Sequence, residues 1–65
     1  MTTQEILNTR NEKGIISLSN EAAGWYAISR DNTHTITFYN TDEYKFYKNE
    51  VSFAKRICTL LKRGY

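Results

Sequence analysis

From Asn49 to Gly64 the side chains sort completely into two sides, and no other feature of the sequence limits the fold as much. At about 100° per residue, Val51, Phe53, Ala54, Ile57, Cys58, Leu60 and Leu61 fall on one arc of a helix, with Ser52, Lys55, Arg56, Thr59, Lys62 and Arg63 on the other. Asn49 is a good N-cap, Glu50 suits the positive end of the helix dipole, and Gly64 stands where a left-handed C-cap residue is expected. A helix from about Glu50 to Arg63 therefore has a continuous apolar arc to bury. The rest of the chain must supply the layer that covers it.

That layer reads as a sheet. Trp25-Tyr26-Ala27-Ile28-Ser29-Arg30 and Thr35-Ile36-Thr37-Phe38-Tyr39 are aromatic and β-branched runs joined by Asp31-Asn32-Thr33, residue types that tolerate hairpin turns. Ile15-Ile16-Ser17-Leu18-Ser19 precedes them as a further strand. Glu43 to Lys48 follows as another, after a turn at Asn40-Thr41-Asp42. Short consecutive connections imply an antiparallel meander. At the start, Thr2-Thr3-Gln4-Glu5 has the spacing of a capping box and predicts a short helix from about Thr3 to Asn11, ended by Gly14. Ile6 and Leu7 are its only aliphatic side chains, so it must dock or fray. The expected fold is α+β in a single domain over residues 1–65: an antiparallel meander of three to four strands packed by the C-terminal amphipathic helix, with a short N-terminal helix.

Strand alternation then divides the sheet residues between two faces. Tyr26, Ile28, Ile36, Phe38, Tyr44 and Phe46 are expected to face the long helix, leaving Trp25, Ala27, Thr37, Tyr39, Lys45 and Tyr47 on the outer face.

A chain of 65 residues buries only roughly 60% of its unfolded surface, which makes crosslinks or self-association useful to it. Cys58 is the single cysteine and cannot form an internal bridge. One cysteine and one histidine, His34, are too few for a structural zinc site. No apolar run approaches the roughly 18 residues of a membrane span, and Met1 to Glu5 lacks the pattern of a signal peptide. A soluble, cytoplasmic protein that makes no use of a membrane is expected.

Charge is unevenly placed along the chain. Residues 1–51 hold five cations against seven carboxylates, a balance of −2, whereas residues 52–65 hold Lys55, Arg56, Lys62 and Arg63 and no acid. This basic stripe suits an anionic partner, although cations are also favoured at a helix C-terminus by the dipole alone. The expected outer face, with Trp25, Tyr39, Lys45 and Tyr47, is aromatic and partly basic. Such residues anchor protein interfaces or stack on bases.

Catalytic parts are missing from the sequence. His34 sits at a hairpin edge, where a solvated histidine is the default. Cys58 lies on the apolar arc of the last helix, and packing is its expected role. Asp42 and Glu43 are adjacent on a strand and point to opposite sides, as turn and surface residues do. Gly14, Gly24 and Gly64 are isolated and form no phosphate-binding loop. No enzymatic activity, cofactor or metal is expected.

In element order, the run from Gly24-Trp25-Tyr26-Ala27-Ile28 to Phe53-Ala54-Lys55-Arg56 resembles the small DNA-binding arm domains of phage integrases. The order also resembles a double-stranded RNA-binding domain, with Val51-Ser52-Phe53 standing where that family carries a lysine cluster. The expected function is that of a non-enzymatic binding protein of the accessory type encoded by phages and mobile elements. Such a protein binds and inhibits or redirects a host protein that handles nucleic acid or serves in defence, a partner with an acidic or nucleic-acid-mimicking surface. The alternative is a module that binds nucleic acid directly through the basic helix, and a homodimer is compatible with either.

Overall fold

The computed structural model describes residues 1–41 and 43–65, so the expected roles of Asp42 in a turn and beside Glu43 lie outside the described residues. Its elements follow the expected α+β order: α1 (Thr3–Leu7), β1 (Ile16–Asn20), β2 (Trp25–Arg30), β3 (Thr33–Phe38), β4 (Glu43–Phe46) and α2 (Glu50–Lys62). The strands form one antiparallel sheet in the order β1-β2-β3-β4, and the long helix packs on it.

Both helices start at the caps read from the sequence. Thr2 accepts from the Glu5 amide while the Glu5 carboxylate accepts from the Thr2 amide, closing the capping box. Helix α1 then stops at Leu7 instead of reaching Asn11. Beyond Leu7 no aliphatic side chain remains to be buried, and the Thr9 hydroxyl donates to the Ile6 carbonyl, taking up one of the acceptors that a further turn would use. At α2, the Asn49 side chain accepts from the Ser52 amide. Gly64 has φ 81, and the amides of Gly64 and Tyr65 donate back to the Leu61 and Leu60 carbonyls, as in a Schellman ending.

The core is a single cluster: Ile6 from α1, Ile16, Trp25, Ala27 and Ile36 from the sheet, and Phe53, Ala54, Ile57, Cys58 and Leu60 from α2. Both helices therefore lie on the same side of the sheet. Leu61 is half-buried at the margin, and Val51, expected on the buried arc, is exposed in the first turn.

The division of the strands between faces differs from the expected one. Trp25 is 1% exposed and Ala27 is fully buried, while Tyr26 and Ile28 point away from the helices. Ile36 and Phe38 face inward as expected, but Tyr44 and Phe46 point outward, and Lys45 and Tyr47 lie on the helix side. For β2 the cause is turn length. Strands β2 and β3 are joined by two residues, Asp31 and Asn32, with Asn32 at φ 63, so Ala27 pairs with Ile36 and Ile28 with Thr35. A three-residue turn through Thr33 would have paired Ile28 with Ile36. One residue of slip moves every side chain of the strand to the opposite face.

Candidate binding face

Pairing across the four strands builds two rows on the side of the sheet away from the helices. Ser19, Tyr26, Thr37 and Tyr44 stand side by side in one row, and Ser17, Ile28, Thr35 and Phe46 in the next. Tyr39, just past the end of β3, lays its ring against that of Tyr26 at 5.3 Å between centroids. Among the described residues, no helix or loop covers these rows. Tyr44 is 72% exposed, Tyr39 and Phe46 about half, and Tyr26 about a third. Strand parity adds one charge to this face, that of Arg30 at the end of β2. The face is thus aromatic and hydroxyl-rich, with no carboxylate among its described residues. Small monomers rarely leave several large aromatics contiguous and exposed without a binding role.

A second feature lies at the sheet margin between β4 and α2. Phe38, Glu43, Tyr44, Lys45, Tyr47 and Arg56 line a cleft of about 510 Å³. Lys45 holds its ammonium 5.6 Å from the centre of the Tyr47 ring. Burial pushes the Tyr47 phenol above its ordinary value, while the positive charge of Arg56 beside it pulls the other way. The Tyr47 ring also packs against Phe53, which ties it to the core.

The expected binding residues are therefore dispersed. Trp25 is in the core, where it can anchor no partner, and Tyr39 is on the open face. Lys45, Tyr47 and Arg56 meet at the cleft, and Lys55, Lys62 and Arg63 stay exposed on the solvent side of α2. Arg56 leaves the basic stripe because its helical position turns it toward β4. Tyr26, Tyr44 and Phe46, which form the open face together with Tyr39, are residues that strand alternation alone places against the long helix.

Among the described residues, Cys58 and His34 make no hydrogen bond to each other or to an acidic or basic side chain. The Cys58 thiol donates to the Met1 carbonyl at 3.1 Å and lies 3.9 Å from the Thr3 hydroxyl, with no base beside it. His34 is half-buried, not solvated as its hairpin position suggested. Its ring meets the edge of Phe53 at 5.8 Å and its Nδ1 is buried without a hydrogen-bond partner. Among the described residues no three His, Cys, Asp or Glu side chains cluster closely enough to hold a metal ion, and no helix is long and apolar enough to cross a membrane. Comparison with known proteins adds no relative: no family model matches the chain, and neither does any curated protein or solved structure.

Proposed function

We propose that this chain is a non-enzymatic binding protein that captures a protein partner on the open face of its sheet, as an accessory protein that inhibits or redirects its target. The observation that carries this reading is the uncovered double row with Tyr26, Tyr39, Tyr44 and Phe46, four aromatic rings on a rigid sheet with both helices on the other side. Rigid aromatics supply large contact area at low entropic cost, and the Ser and Thr hydroxyls between them offer hydrogen bonds without a buried charge to desolvate. A polynucleotide fits this face less well. Phosphate contacts dominate nucleic-acid affinity, yet the face has one cation, and Lys55, Lys62 and Arg63 are carried by the helix layer on the other side.

A photo-crosslinking side chain at Tyr44 is expected to trap a protein from nuclease-treated host lysate, whereas one at Lys55 traps none. Against the trapped partner, Tyr39→Ala and Tyr44→Ala each weaken binding by more than about 1 kcal/mol while the melting temperature stays within a degree or two. Crosslinking to nucleic acid alone, or alanine variants that bind as tightly as the parent, would exclude the open face as a protein interface.

A further inference from the structure

We infer that the free edge of β4 pairs with β4 of a second copy of this chain, joining two sheets into one. Strand β4 is last in the sheet, and all four of its side chains are exposed. The Tyr47 amide donates to the His34 carbonyl at 2.8 Å, which sets the alternation of the β3–β4 ladder. Tyr47 with His34, Lys45 with Ile36, and Glu43 with Phe38 are the bonded pairs. Tyr44 and Phe46 consequently aim their N–H and C=O groups away from β3, toward the open edge. The neighbouring ladder agrees. The Tyr39 amide donates to the Gly24 carbonyl, so Thr37 bonds toward β2 and leaves Ile36 and Phe38 to serve β4.

An unpaired edge invites a strand, and natural sheets blunt it with proline, a bulge or a lone charge. This chain contains no proline, and β4 pairs in continuous register without a bulge. Its lysine would act as a blocker if it stood alone, but Glu43 and Lys45 flank Tyr44 on the same side of the strand. When a second copy aligns antiparallel with Tyr44 opposite its own counterpart, Tyr44 exchanges two backbone hydrogen bonds with that counterpart. Glu43 then faces Lys45 of the second copy, and Lys45 faces its Glu43. Both charges are satisfied by the same two-fold axis, as an isologous contact requires. Placing the axis on Lys45 or on Glu43 would instead set like charges directly opposite each other, which is unfavourable. Among axes on Glu43, Tyr44 and Lys45, the charge pattern thus favours the one on Tyr44.

This inference does not rest on the open-face reading, because the seam uses the backbone edge and leaves Tyr26 and Tyr39 free. A four-residue strand makes a short seam, at the weak end of specific interfaces, so association is to be read at high concentration. Sedimentation of the full chain up to about 1 mM is expected to show a monomer–dimer equilibrium. In the dimer, the amide of Tyr44 becomes protected from hydrogen exchange. Lys45→Glu alone and Glu43→Lys alone each weaken dimerisation by about tenfold, since each turns both cross-strand pairs repulsive. An equimolar mixture of the two variants re-forms a dimer, because every pair across the seam is then opposite in sign. The double variant Glu43→Lys/Lys45→Glu also recovers, and all variants melt as the parent does at low concentration. A parent that stays monomeric throughout, a dimer indifferent to both single changes, or a mixture that does not associate would each overturn the proposal.

Discussion

Trp25→Ala is expected to unfold the domain. The indole is the largest fully buried side chain, 1% exposed, and it fills the end of the core under the helix layer. Truncating a buried aromatic costs about 3–5 kcal/mol through lost transfer energy and the cavity left behind. A domain of this size holds a total stability on the order of 5 kcal/mol, so little or nothing remains. No hydrogen bond is lost in the change, because the indole N–H has no partner, and the cost is one of packing alone. Trp25→Phe, which refills most of the space and removes that unpaired donor, therefore retains most of the stability. Thermal melts of both variants beside Tyr44→Ala decide which side of the sheet is core. A Trp25→Ala protein melting like the parent, with Tyr44→Ala collapsed, would show the sheet to be the other way round.

Ile57→Ala is the second large effect. The sequence pattern treats Ile57 and Leu61 alike, one turn apart on the same arc of the helix. In the fold Ile57 is fully buried among sheet and helix residues, while Leu61 is half-buried at the margin of the cluster. The first truncation is expected to cost about 2–5 kcal/mol and the second clearly less, because a partly exposed site collapses or hydrates and leaves a smaller cavity. Chemical denaturation of the two variants gives the comparison directly. Equal losses would mean that α2 is rotated about its axis relative to the packing described.

The same contrast between pattern and placement shows what was legible in the residues. Caps and element order are local properties, written in Thr2 with Glu5, in Asn49 and in the β-branched run of β3; both caps form where the sequence puts them, while β3 starts at Thr33, two residues before the expected Thr35. The faces of the sheet are not local. In β2, Tyr26 and Ile28 are more apolar than Ala27 and Ser29, so hydrophobicity alone turns the strand the wrong way. What the fold buries from β2 is the small Ala27 and Ser29 together with the large Trp25. Arithmetic on the turns carries the missing signal: one residue fewer in the loop after Arg30 puts Ala27, not Ile28, opposite Ile36. That count turns Tyr26 outward, and the pairing of Ile36 with Lys45 across β3 and β4 does the same for Tyr44 and Phe46.

Both ends of the chain are fastened to the helix layer. The Met1 carbonyl takes the hydrogen bond of the Cys58 thiol, and Tyr65 folds back on Leu60. The two ends differ in surroundings: Met1 is held beside Cys58 in the helix layer, whereas Tyr65 shares a cleft with Gly24, Asn40 and Thr41 at the loop end of the sheet, next to Tyr39. A molecule grafted to a sensor surface through Met1 is therefore held by its helix layer, while one grafted through Tyr65 is held close to Tyr39, so the choice of terminus matters for a measurement made on the aromatic rows.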